Sequence, residues 1–328
     1  MNQNQFEEAH QEKWKQFSRL LDELESKDTA KIVSGIFLAE FPSRYRKICN
    51  HYSLAKARHY RPALVDKLHD LVLRGHLQLY RKKTTIFWSI IRFVSTDFPR
   101  TLRQKVLFFW LSCLLFVLPG ILTGLATYDD SVLIYSIMDE SQVVNMESMY
   151  DPDNSKIGRS AERTDEDDLT MFGYYILNNI SIGFRTFSGG IVFGIGSAFF
   201  LLFNGVTLGA VAGHLSHPPF ATTFWPFVCG HGAFELTAIV ISGAAGLLLG
   251  YSLINPGSYR RRDALRLIAP VALKLVMGGA VMLLIAAFIE AFWSSSSFSV
   301  NIKFSVAAIC WGMVIFYLLF AGRKSHGS

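Results

Sequence analysis

Residues 171–190, MFGYYILNNISIGFRTFSGG, decide the architecture of this chain. The stretch is mostly apolar and has the length of a helix that crosses a bilayer, which takes about 20 residues for about 30 Å of hydrocarbon. It also carries Asn178, Asn179, Ser181 and Arg185, each costly in hydrocarbon, the arginine by about 2.5–3.5 kcal/mol on insertion scales. Whether it crosses sets the number of crossings, and so the side on which every later loop lies. It persists at membrane depth only if other helices cover it, or as a broken or partial span lining a cavity. Both readings place it inside a bundle.

Around it, five segments have the length and apolar content of membrane spans: 106–128, 191–213, 232–254, 270–293 and 304–320. Hydrophobic residues make up 51% of the chain, a share that soluble domains also reach, so their distribution carries the argument. Long runs with few charges read as transmembrane helices. The expected fold class is all-α: a polytopic helical membrane bundle of about six segments, one or two broken or re-entrant, behind an N-terminal cytoplasmic helical domain. The expected divisions are a basic helical domain at 1–105, a membrane domain at 106–322 containing an acidic outer loop at 129–168, and a short cytoplasmic tail at 323–328.

Charge gives the orientation. Residues 1–105 carry 20 Lys and Arg against 11 Asp and Glu, whereas 129–168 carry 3 against 12. Basic flanks stay in the cytoplasm, and the effect is strongest next to the membrane, where Arg100, Arg103 and Lys105 stand. Two later basic groups, Arg260, Arg261, Arg262 and Arg266, then Arg323 and Lys324, belong on the same side. Five crossings would put the arginine group outside. A sixth crossing at 171–188, turning at Gly189 and Gly190, satisfies every marker and leaves both ends cytoplasmic.

The leading segment MNQNQFEEAHQEKWKQF has no apolar core and no small-residue cleavage site, so the first span is expected to act as the insertion signal. Trp14, Phe17, Leu20, Leu21 and Leu24 make a helical stripe, and Pro62 suits the first turn of a helix presenting Leu64, Leu68, Leu71, Val72 and Leu79. Residues 84–105 alternate bulky apolar and basic groups. They read either as a helix on the membrane surface, with Trp88 and Phe93 at headgroup level, or as another core helix of the leading domain. Cys49, Cys113, Cys229 and Cys310 form no metal or disulfide pattern and suit apolar packing.

Gly205, Gly209 and Gly213 recur at steps of four, and Gly246 and Gly250 repeat the step on the next span. Such spacing makes a smooth face where a second backbone approaches closely. The partner face lies either within the chain or on another subunit. Lys274 and Glu290 stand near span ends and read as interfacial anchors. His231 and Glu235 share a helix face, and the proline-rich stretch 217–230 before them reads as a dip into the membrane and back. An outward-opening polar site of Asn178, Asn179, Arg185, Asn204, His231 and Glu235 is one reading. Structural hydrogen bonding among broken helices is the other.

There is no HExxH, GxSxG, phosphate loop or intramembrane Asp pair in the sequence, so no catalytic residue is assigned. His231 and Glu235 supply two metal ligands, fewer than zinc requires, with His214 and His217 the neighbours in sequence for completing a set. The expectation is no metal and no cofactor. No nucleic-acid reader motif accompanies the basic residues, so the bilayer, with protein partners and a possible second copy of the chain, is the expected company.

The run 171–214, followed by GHGAFELTAIVISGAAGLLLG at 230–250, resembles the stage II sporulation protein M family. Its motif positions fall on Asn178, Asn179, Asn204, Gly205, Gly209, His231, Gly232 and Glu235. The resemblance covers about residues 100–322 and implies a bacterial inner-membrane protein. In spore formers the family member works with peptidoglycan-degrading partners during engulfment, as the membrane component of that assembly. The leading 100 residues and the acidic loop depart from that member. What the resemblance implies here is the architecture and a scaffold role in an envelope complex. A transporter or channel built on the intramembrane polar site is the alternative, and a metal-dependent intramembrane enzyme a more distant one.

Overall fold

The computed structural model describes residues 2–25, 35–79, 86–153 and 165–323, without the side chains of 35–39 and 165–168. Lys324, residues 154–164 of the acidic loop, and residues 80–85 ahead of the expected surface helix lie outside the described residues. The chain divides into two compact units, Met1–Ile86 and Phe87–Ser328. Residues 87–105, grouped from sequence with the leading domain, therefore belong to the second unit.

The first unit holds α1 (Gln3–Glu25), α2 (Gly35–Ala57) and α3 (Pro62–Leu79). The sequence stripes become its core: Phe6, Trp14, Phe17 and Leu21 of α1 meet Phe41 and Ile48 of α2 and Leu64, Leu68 and Leu71 of α3. Arg74 of α3 reaches across to Asp22 at 2.5 Å and Glu25 at 2.8 Å on α1.

In the second unit, α4 (Ile86–Arg92), a π turn and α5 (Phe98–Gln104) precede α6 (Val106–Asp129). Phe87, Trp88 and Ile90 stay exposed, an arrangement suited to headgroup level. Beyond α6 come α7 (Glu140–Met149), α8 (Asp165–Ser188), α9 (Ile195–His214), α10 (Ala221–Ile254), α11 (Arg261–Phe288) and α12 (Val300–Phe320). Among the described residues, five helices have the length and apolar content of membrane spans: α6, α9, α10, α11 with its π extension to Ser294, and α12. The polar residues of α8 keep it out of that set, yet it is one unbroken helix of 24 residues.

The contacts at the helix ends show that α8 runs from one end of the bundle to the other. Arg103, just before α6, donates to the carbonyls of Leu318 and Ala321 at the end of α12. The start of α6 and the end of α12 thus lie at the same end of the bundle. Phe108 at the start of α6 meets Tyr251 at the end of α10, and Arg261 lies over Phe193 in the α8–α9 turn. At the opposite end Tyr128 stacks on His217, His214 bonds Glu147, and Phe172 packs on Phe288 and Phe292. One end of the bundle is basic, carrying Arg103, Arg260, Arg261 and Arg262. The other carries Asp129, Asp130, Asp139 and Glu140.

Two expectations change. The stretch 217–230 does not dip and return. After a turn, α10 runs unbroken for 34 residues, about 51 Å, with Pro226 inside its second turn. The acidic loop is not a plain loop either. Its described part forms α7, started by an Asp139–Gln142 capping box, and Ile134, Val143, Met146 and Tyr150 pack on Leu215, Phe224 and Phe227.

The glycine faces meet within the chain. A Cβ built on Gly205, Gly209 or Gly213 of α9 runs into the carbonyl oxygens of Phe116, Gly120 and Gly124 of α6, so only glycine permits this approach. Thr123 and Thr127 donate across the seam to the carbonyls of Val206 and Ala210 at 3.2 and 3.1 Å. Gly246 and Gly250 of α10 serve a different contact, against Ser197 and Gly194 at the α8–α9 turn. Gly194 itself has φ +82°, a conformation glycine adopts without strain.

Candidate functional site

The six polar residues singled out in the sequence do not form one pocket. On α8, Tyr175, Asn179, Gly183 and Thr186 face inward, and the Asn179 Nδ2 has no hydrogen-bond partner among the described residues. Asn178, Ser181 and Arg185 lie on the opposite, exposed face, with Asn178 donating to Asn179 Oδ1 at 3.2 Å. The expectation that the bundle shields the arginine is therefore corrected. Arg185 stands in the last turn of α8, where it reaches the basic end and suits the negative end of the helix dipole. Asn204 donates to the carbonyl of Phe200 on its own helix at 2.6 Å.

His231 and Glu235 do come together, and with a residue the sequence reading had set aside. Their i, i+4 spacing on α10 puts His231 Nε2 3.9 Å from Glu235 Oε2. Glu290, read as an interfacial anchor, sits in the π turn Ile289–Ser294 that ends α11 and joins them. Ligand atoms of all three lie within 4.8 Å of one another. The π turn adds one residue to the helical register and so aims both Glu290 and Ser294 at α10. Ser294 Oγ stands 3.0 Å from His231 Nδ1, while its carbonyl accepts from Lys303 Nζ at 2.8 Å. His231 and Lys303 are buried, at 5% and 3% exposure.

Depth explains how these charges are tolerated. Counted back from Ile254 at the basic end, Glu235 is the twentieth residue of α10, and about 20 helical residues span about 30 Å. The capping segment then closes over it. Thr223 donates to the Tyr150 carbonyl at 2.5 Å. The Tyr150 phenol is held above its ordinary pKa chiefly by burial, then by the nearby Glu290, Tyr175 and Glu235. His214 and His217, the sequence neighbours considered for a metal set, are engaged elsewhere: His214 with Glu147 at 2.7 Å, His217 with the Tyr128 carbonyl at 2.8 Å.

Glu290, Ser294, Lys303 and Tyr150 are thus the site residues the sequence reading missed. Only Glu290 carried a signal, as a carboxylate in an apolar run, and Trp293 beside it suggested the anchor instead. Gly120 and Gly124 were visible as a small-xxx-small pair on α6 facing those of α9.

Helices long and apolar enough to span a membrane, a close glycine seam and a buried polar cluster under an acidic cap define a polytopic helical membrane protein with a helical domain ahead of it. The chain belongs to the Stage II sporulation protein M family, whose model matches residues 112–295. Residues 4–81 match a second family, described as a domain of unknown function (DUF8413). An uncharacterized protein of Methanocaldococcus jannaschii is 28% identical over 124 residues, 37% of this chain and 69% of that relative. No solved structure matches the chain.

Proposed function

We propose that this chain is a scaffold subunit of a multiprotein cell-envelope assembly in the bacterial inner membrane, with its basic end and both termini in the cytoplasm. The observation that supports this reading best is the exposed stripe Asn178, Ser181 and Arg185 on α8. An asparagine and a serine at membrane depth on the outer face of a bundle are poorly solvated by hydrocarbon, and a second protein surface relieves that cost. A further module ahead of the membrane unit and a folded cap at the acidic end give two more surfaces for partners. The charge difference between the two ends supports the orientation. The family's membership of an envelope assembly in spore formers supports the role.

The test is a photoreactive amino acid placed at Ile180 or Phe184, which flank the stripe and are 39% and 60% exposed, in cells carrying the full chain. A discrete protein adduct, weakened when Asn178 and Ser181 are replaced by leucine, is the expected result. Its mass separates a second copy of the chain from a different subunit. Adducts to lipid alone would remove the reading.

A further inference from the structure

We infer that His231, Glu235 and Glu290 bind one divalent transition-metal ion, with zinc the best-suited probe. The inference goes beyond the scaffold reading and does not depend on it. Two observations carry it. First, the donor set is mixed, one imidazole and two carboxylates, and its ligand atoms fall within 4.8 Å of one another. Donors around four-coordinate zinc stand about 3.3 Å apart, given bonds of about 2.0–2.1 Å, so side-chain adjustment closes the set without moving a helix. Two ligands one turn apart on a helix chelate from one face, the spacing used by the paired histidines of zinc-protease helices.

Second, the histidine is prepared as a ligand. The side chain of His231 is 7% exposed, and its Nδ1 is engaged by Ser294 Oγ at 3.0 Å. Nε2 is left 3.9 Å from Glu235 Oε2, too far for a hydrogen bond. An outer hydrogen bond on one ring nitrogen that orients the other is the usual arrangement around a metal-bound histidine. Ser294 is therefore a positioning residue.

A divalent cation also suits the charge of the set. A divalent ion held by one neutral imidazole and two carboxylates makes a neutral complex. Three protein ligands leave a fourth position for water or for a carboxylate or carbonyl of a partner.

The experiment uses the full chain purified in detergent, stripped with EDTA and titrated with zinc chloride. One zinc per chain is expected, together with a rise in the thermal midpoint as zinc is added. Cobalt chloride should give a visible ligand-field spectrum. Glu235→Gln and Glu290→Gln should each weaken zinc binding by at least about 100-fold, and Ser294→Ala by about 10-fold. His217→Ala should leave it unchanged, which separates this site from zinc held at His214 and His217. Should a glutamine variant fail to assemble, the wild-type chain decides. A monodisperse stripped protein that takes up less than about a tenth of an equivalent overturns the site. Undiminished zinc affinity in a folded Glu290→Gln chain overturns it too.

Discussion

His51 shows how a single residue ties the first unit to pH. Its Nδ1 accepts the Trp14 indole N–H at 3.0 Å, and its ring stacks on His10 with centroids 4.1 Å apart. Burial first, then His10, Lys13 and Lys47, push its pKa down from 6.5 to about 4. The folded chain takes up this proton at lower pH than the unfolded chain. The contribution is therefore complete above pH 6.5 and lost as pH falls toward 4. We predict that the unit is less stable at pH 4.5 than at pH 7.5 by about 1–2 kcal/mol, allowing for partial exposure. Hydrogen exchange of α1 and α2 in the full chain, corrected for intrinsic rates, checks this. His51→Gln keeps an acceptor for Trp14 and should flatten the dependence. At this scale the sequence was informative where one residue acts within its own helix, as for the buried stripe Trp14, Phe17 and Leu21. It was silent where a side chain works across helices. Nothing in the sequence pairs Trp14 with His51, or Glu290 with His231.

Two elements of the membrane unit make separable predictions. In the α6–α9 seam, a methyl group on Gly209 meets the Gly120 carbonyl oxygen, whereas Gly312 on α12 has no neighbour within 4 Å of a built Cβ. Gly209→Ala should destabilise the unit by about 1–3 kcal/mol through overpacking. Gly312→Ala should be neutral, or stabilising by up to about 1 kcal/mol through helix propensity. Thermal midpoints in one detergent compare the pair, and equal shifts would contradict the seam. At the end of α12, the guanidinium of Arg103 holds the carbonyls of Leu318 and Ala321. Its replacement by alanine should cost about 1.5–3 kcal/mol, the range for hydrogen bonds to a charged group. Proteolysis at 318–323 should then become faster. The element boundaries near 106, 254 and 320 were legible because apolar length and charge punctuate them. The continuity of α10 was not, since Pro218, Pro219 and Pro226 suggested a break that packing against α11 and the cap overrides.

For the molecule as a whole, the decisive property is which loops share a side. Single cysteines introduced by Ser131→Cys and Ser258→Cys, in a chain with its four native cysteines replaced, report it. With the basic end in the cytoplasm, a membrane-impermeant maleimide should label position 131 in intact cells and position 258 only after permeabilisation. Equal labelling of both positions from outside would contradict the even number of crossings. By itself the sequence determined the all-α membrane class, the separate leading helices, the charge difference between the two ends and the glycine rows. These follow from local composition and period, which a chain carries whatever its neighbours. Only the tertiary structure decided that α9 lies against α6, that one polar face of α8 stays uncovered, and that Glu290 completes a cluster with His231 and Glu235. Each of these depends on which helices lie side by side and on their rotation about their own axes. Close packing at glycine seams and a single added residue in a π turn fix that rotation; the sequence displays the glycine period but neither the face it meets nor the added residue.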